Sequence, residues 1–289
     1  MNQNLDLAVS VVIPYYHGGK YLPDLLEMLR RNAEAMKESC WSALEAVFVN
    51  DSPDETLTIE DKGTFFLKVV ENPQNSGIHA SRVNGLRRAS GKYVLFLDQD
   101  DRITDDCLVS QLRHIGNADF VIGNGYDGEA SGGKHLIYSN PEMQEASADL
   151  NAHYYYNNLI RSPGQVLIRR QAIPEYWTEQ IMKNNGSDDA FLWILMLCSG
   201  AKAALNPDVV YEHVYTGENS SSNDAAMLRS QMEVADKLKT IASPRGMRAF
   251  TRRARYYCTS GPMHKLCFLD VGIRRSSYAR RQFRPQEKG

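Results

Sequence analysis

Tyr93-Val94-Leu95-Phe96-Leu97 is an apolar run without a polar interruption, and it stops on Asp98-Gln99-Asp100-Asp101. Such a run reads as a strand buried on both faces, the kind found inside a parallel sheet. Residues two apart on an extended chain point the same way, so Asp98 and Asp100 can converge on one cation while Gln99 faces elsewhere. A cation held there would sit just past the carboxyl end of a buried strand, where open α/β sheets bind their ligands. Alone, the same residues also read as a solvated acidic turn before a helix that starts near Thr104. The remainder of the chain has to separate the two readings.

Other strands end in the same way. Ala8–Ile13 is a β-branched run closed by Pro14, Leu44–Val49 runs into Asn50-Asp51, and Phe65–Val70 precedes Asn72-Pro73. Helical patterns lie between them, over Tyr21–Lys37 with Leu22, Leu25, Leu26, Leu29 and Ala33 on one face, and over Gly77–Ala89. A fifth strand is expected at Ala118–Ile122. Strands alternating with helices predict a parallel, doubly wound sheet, which gathers Pro14-Tyr15-Tyr16, Asp51, Asn72 and the Asp98–Asp100 pair along one edge. Beyond residue 123 the pattern loosens. Gly123–Asn140 reads as a loop or hairpin, Asp149–Ile160 as a helix, Gln165–Ile168 as a short strand and Val209–Val214 as a last one. A helix over Ser187–Ser199 has a start signal in Ser187 followed by Asp188 and Asp189. Asn223–Ile241 and Arg245–Leu269 are expected to be helical and basic.

With 289 residues, 43% of them hydrophobic, the chain can build one large domain or one domain plus an appendage. A net charge of -2 gives no global pull toward nucleic acid. Five scattered cysteines without CxxC spacing suit reduced thiols, and MNQNLDLAVS lacks the features of a signal peptide. The longest apolar run, Phe191–Cys198, is far short of a spanning helix. The expectation is a soluble, cytoplasmic protein.

SVVIPYYHGGKYLPDLLEML, FVNDSPDET and ENPQNSGIHASRVNGLRRASGKYVLFLDQDD, in that order and spacing, resemble the nucleotide-sugar-binding half of the family 2 glycosyltransferases. The resemblance covers roughly residues 8–125 and weakens to about 223. It implies a GT-A (Rossmann-like) fold, a mostly parallel sheet flanked by helices with a helical, basic C-terminal extension. Residues 1–223 would be the catalytic domain, with 8–125 the nucleotide-sugar half and 126–223 the acceptor half, and 224–289 the extension. The implied reaction moves one sugar from a nucleoside diphosphate sugar, commonly a UDP-sugar, to the hydroxyl of a glycan or lipid-linked glycan acceptor, with inversion.

The resemblance also assigns residues. Pro14, Tyr15, Tyr16, Asp51, Asn75, Arg82, Asp98 and Gln99 are expected at the donor, with Asp51 near the base and Arg82 near the diphosphate and the acidic cluster. Asp98 and Asp100 are expected to hold Mn²⁺ or Mg²⁺, whose preference is for hard carboxylate oxygens, and His213 is a candidate third ligand. Asp189, beside Asp188, is the expected base that takes the acceptor proton. Each assignment has a plainer counterpart: turn chemistry for Asp51, a salt bridge for Arg82, helix-dipole complementation for Asp188 and Asp189, a structural strand histidine for His213, and core packing for Trp193. Two departures stand out. The usual Asp-Asp-Gly-Ser turn is Asn50-Asp51-Ser52 here. The Gln-x-x-Arg-Trp signature of processive synthases is absent, since Gln165 is followed by Arg169-Arg170, which points to single-sugar transfer.

Twelve Lys and Arg between Arg245 and Lys288 face only Asp270 and Glu287. Arg252, Arg253 and Arg255 beside Tyr256, Tyr257, Met263, Leu266 and Phe268 read either as a surface-lying anchor on an anionic membrane or as a solvated tail. No nucleic-acid recognition motif accompanies the charge. Two rival functions share the scaffold: a sugar-1-phosphate nucleotidyltransferase, for which Pro14-Tyr15-Tyr16-His17-Gly18-Gly19-Lys20 is a poor phosphate loop, and a non-catalytic nucleotide- or glycan-binding protein.

Overall fold

The structure, a computed structural model, describes residues 7–60, 63–217, 223–257 and 271. The chain forms two compact units that interleave along the sequence. One comprises Met1–Ile137, Arg161–Ile173 and Lys202–Thr216, the other Tyr138–Ile160, Pro174–Ala201 and Gly217–Gly289. This division differs from the expected one at residue 223.

The first unit holds every strand among the described residues: β1 (Leu7–Tyr15), β2 (Ala43–Asn50), β3 (Phe66–Glu71), β4 (Tyr93–Phe96), β5 (Arg102–Ile103), β6 (Phe120–Gly128), β7 (Lys134–Leu136), β8 (Val166–Arg169) and β9 (Ala203–His213). They form one sheet in the order β3-β2-β1-β4-β8-β6-β9-β5, with β7 paired to β6. β3, β2, β1 and β4 are parallel neighbours, β8 is antiparallel to both β4 and β6, and β9 is parallel to β6. The sheet is therefore mixed, with its parallel half built from the first four strands. Helices α1 (Leu22–Glu38), α2 (Ile78–Arg88) and α3 (Cys107–Ile115) follow β1, β3 and β5.

The apolar runs are explained by burial on two faces. Val9, Val11 and Ile13 of β1 share a core with Leu25, Leu29 and Met36 of α1 and with Ala46, Phe48 and Leu95. Each such side chain contributes about 1.5–3 kcal/mol by leaving water. Val12 and Val49 point the other way, onto α2 at Gly85. Pro14 does not end β1 but lies within it, opposite Val49. The reason is local. The carbonyl of Val12 accepts the Leu97 N–H on the β4 side and that of Tyr15 accepts the Asp51 N–H on the β2 side. Alternation puts Pro14 on the β4 side, past the last β4 partner at Phe96, so its missing N–H breaks no ladder bond.

β6 extends the strand expected at Ala118–Ile122 through Gly123-Asn124-Gly125 to Gly128 and turns back as the β6–β7 hairpin, the second of the two forms expected for that stretch, and the two-residue β5 carries no sequence signal of its own.

The second unit is helical: α4 (Pro141–Ser147), α5 (Leu150–Tyr155), α6 (Glu175–Glu179), α7 (Asp188–Cys198), α8 (Asp224–Leu238) and α9 (Pro244–Tyr257). α5 stops five residues short of the expected end, and Asn223 caps α8 by accepting from the Ala226 N–H at 3.0 Å. The expected helical continuation to Leu269, with Met263, Leu266 and Phe268, lies outside the described residues. No helix among the described residues is long and apolar enough to cross a membrane.

Candidate active site

The carboxyl ends of β1, β2, β3 and β4 lie along one edge, because the four strands are parallel neighbours. Past β4 the chain presents Asp98, Gln99, Asp100 and Asp101 before β5. Arg82, buried on α2, forms an ion pair with Asp98 through Nη2 and Oδ1, and the Ser162 hydroxyl is 3.5 Å from Asp98 Oδ2. Asp101 is the buried hub. Its Oδ2 accepts the Tyr211 hydroxyl and the Ser162 hydroxyl at 3.1 Å, while its Oδ1 accepts the Val214 N–H at 3.2 Å and meets His213 Nδ1 at 3.0 Å.

Asp100 takes part in none of these bonds. Partial burial, then the like charges of Asp101 and Asp98, push its carboxyl up to about 6, with His213 pulling weakly the other way. A divalent cation would reverse that shift. Burial pulls His213 down, but the hydrogen bond and charge of Asp101 outweigh it and leave the imidazole above its ordinary value. The expected trio of Asp98, Asp100 and His213 is not gathered as a ready-made cage. Among the described residues no three His, Cys, Asp or Glu side chains converge in that way. Asp101 engages the imidazole at Nδ1, which leaves Nε2 as the nitrogen that could meet an ion.

Asp101, Ser162 and Tyr211 were not among the sequence candidates. The available signals were the third carboxylate of the acidic run and the spacing of Tyr211 two residues before His213, hence on the same face of β9.

On the β1–β3 side, Asp51 is buried and fully engaged in local structure. Oδ1 accepts from Asn72 Nδ2 and the Ser76 N–H, both at 2.8 Å, and Oδ2 from the Gly77 N–H at 2.9 Å. It thus anchors the entry to α2, where Gly77 has φ 86°. Gln99 pairs with the loop after β1: its Oε1 accepts the Tyr16 N–H and its Nε2 donates to the Tyr16 carbonyl, each at 2.9 Å. Pro14 and Tyr15 are buried, whereas Tyr16 and Asn75 are exposed. His17, at φ 46°, is tied by its N–H to Ser52 and by its ring to Glu55.

Asp188 and Asp189 belong to the other unit and open α7. Ser187 holds the cap position, but its side chain accepts no capping bond; its hydroxyl is 3.3 Å from Met227 Sδ. Asp188 is buried, with its carbonyl accepting from Trp177 Nε1 at 3.0 Å. Asp189 is half-buried and accepts from Asn158 Nδ2 at 2.8 Å. Trp193 is fully buried, as a core residue.

Among known proteins, the chain is 32% identical over 93 residues to an uncharacterized glycosyltransferase of Haemophilus influenzae, covering 32% of this chain and 29% of that one. It is 37% identical over 113 residues to the poly(ribitol-phosphate) beta-N-acetylglucosaminyltransferase TarS of Staphylococcus aureus, covering 38% and 19%. The chain thus spans less than a third of the length of either relative. Residues 1–349 of S. aureus TarS in complex with UDP-GlcNAc superpose with a TM-score of 0.62 at 17% identity, covering 92% of this chain and 79% of that one. The mannosyltransferase PcManGT from Pyrobaculum calidifontis, in complex with GDP-Man and Mn²⁺, gives 0.56 at 16% identity, covering 96% and 84%. The fold is the expected GT-A type. Residues 10–177, more than half of the chain, match the model of glycosyl transferase family 2, and the chain belongs to that family.

Proposed function

We propose that this glycosyltransferase moves one sugar from a nucleoside diphosphate sugar to an acceptor hydroxyl with inversion at the anomeric carbon. The observation that carries the reading is the acidic cluster after β4, in which burial and then the charges of Asp101 and Asp98 lift Asp100 to about 6. Clustered carboxylates that repel one another at a sheet edge favour an incoming cation. Asp100 with Asp98 would hold Mn²⁺ or Mg²⁺, and His213, oriented at Nδ1 by Asp101, would offer Nε2. The ion, when bound, supplies Lewis-acid stabilisation of the charge that develops on the departing diphosphate.

This chain's own residues do the remainder. Arg82 fixes Asp98 and supports the diphosphate side. Asp189 takes the acceptor proton; it is the less buried of the acidic pair, and Asn158 orients its Oδ2. Asp188, the buried partner, supports the start of α7. TarS, a relative with a UDP-GlcNAc complex and a polymeric acceptor in its name, favours a UDP-sugar donor and a surface glycan or lipid-linked acceptor. PcManGT, bound to Mn²⁺, favours the metal.

The test is nucleoside diphosphate release from a panel of nucleotide sugars with Mn²⁺. Asp189→Asn is expected to lower kcat by about 10²–10⁴-fold with donor binding retained. Asp100→Ala is expected to abolish metal-stimulated turnover. Full turnover by Asp100→Ala sinks the reading. Donor binding without turnover would mark a binding protein, pyrophosphate formation a nucleotidyltransferase, and a long homopolymer from donor alone a processive synthase.

A further inference from the structure

α9 has two faces of opposite character. Met247, Phe250, Arg253 and Ala254 are buried where the helix packs on α5 and α8. Arg253, expected among the surface charges, is one of these inward residues: its Nη1 donates to Asn157 Oδ1 at 3.1 Å and its guanidinium lies 4.9 Å from the Phe250 ring centre. From Met247 to Ala254 the apolar face is therefore consumed in folding the helical unit, and only Tyr257 at the end of that face is exposed.

The other face is a row. Arg245, Arg248, Arg252 and Arg255 are all exposed, and their spacings of three, four and three keep them on one side of the helix. Ten residues at ~1.5 Å each give the row a length of ~15 Å. No acidic residue occurs in α9. All four members are arginines, whose planar forks engage phosphate oxygens bidentately.

We infer that this arginine row docks the protein, through electrostatic contact alone, onto the phosphate surface of an anionic bilayer. A straight row on the outward side of a packed helix matches a plane of headgroups. The inference stands apart from the proposed transfer reaction, since docking is read without any turnover.

The test is co-flotation of the full chain with phosphatidylcholine vesicles, with and without phosphatidylglycerol, across a salt series. The wild type is expected to float only with the anionic vesicles and to be released by salt. Replacing all four arginines by Gln is expected to weaken partitioning by roughly five-fold per residue, on the order of a thousand-fold in total. Replacing all four by Lys retains most of the binding. Circular dichroism and melting curves confirm that each variant is folded. Equal flotation of wild type and the Gln variant overturns the proposal, as does salt-resistant binding to neutral vesicles, which would indicate insertion. Retention by polyphosphate or RNA with no flotation would reassign the row to a soluble polyanion and also overturn it.

Discussion

Gln99 does with a side chain what a neighbouring strand does with its backbone: it pairs with both the N–H and the carbonyl of Tyr16. A Cβ on Gly18 would lie 2.2 Å from Gln99 Oε1, so Gly18→Ala can be accommodated only by swinging that amide away. Two hydrogen bonds at about 0.5–1.5 kcal/mol each set the cost near 1–3 kcal/mol. Gln99→Ala is expected to cost a similar amount, and Gly18→Ala added to it almost nothing more, because the clash and the bonds have already gone. A double-mutant cycle by chemical denaturation checks this; additive losses would disprove the coupling. The same residues show what sequence can and cannot tell. Asp98 and Asp100 are legible because a period of two is a local rule. The role of Asp101 is not, since its partners Tyr211 and His213 come from 110 and 112 residues further on. Asp51 was legible as a residue at a strand end. That its carboxylate would be used to seat Ser76 and Gly77 depends on a loop whose path no local pattern announces.

At the scale of elements, the packing of α2 on the sheet depends on Gly85. A Cβ there would sit 2.4 Å from Val12 Cγ1 and 2.9 Å from Val49 Cγ2, two side chains with no exposed surface. Gly85→Leu is therefore expected to destabilise the protein by about 1–3 kcal/mol through overpacking, despite the better helix propensity of leucine. A lower urea midpoint at unchanged slope would show it, and an unchanged midpoint would refute it. α1 was readable because its burial follows a helical period, and β4 because its apolar run is unbroken and buried throughout. β6 was not, because Gly123 and Gly125 look like loop residues. Their real task is close approach: a Cβ on Gly123 would meet Val210 at 2.3 Å, and one on Gly125 the Tyr211 carbonyl at 2.6 Å, where the β6–β9 register shifts. Strand identity there is imposed by the partner.

For the molecule as a whole, the pH dependence of stability carries a signature from His153. The side chain is buried and donates from Nε2 to the Ser147 carbonyl at 2.8 Å. Burial, helped by the nearby Arg253 charge, pushes the imidazole down to about 4. The unfolded chain, at about 6.5, takes up this proton first as pH falls. Stability is therefore lost between about pH 6.5 and 4, by about 3 kcal/mol in all at 1.36 kcal/mol per unit. Asp100 works in the opposite sense over part of that range, because the folded state protonates it first. The informative quantity is accordingly the difference between two proteins. His153→Gln, which keeps a donor toward Ser147, is expected to flatten the acid slope of the denaturation midpoint, and an identical slope would contradict the assignment. The interleaving of the two units has a consequence for how the protein is made. A ribosome that has released only the first 160 residues has delivered Asp98, Asp100 and Asp101, but not Ser162, Tyr211, His213 or the strands β8 and β9. Until β9 has been made Asp101 lacks Tyr211 and His213, although Arg82 and Tyr16 are already there for Asp98 and Gln99, and the edge of β6 lacks its parallel neighbour.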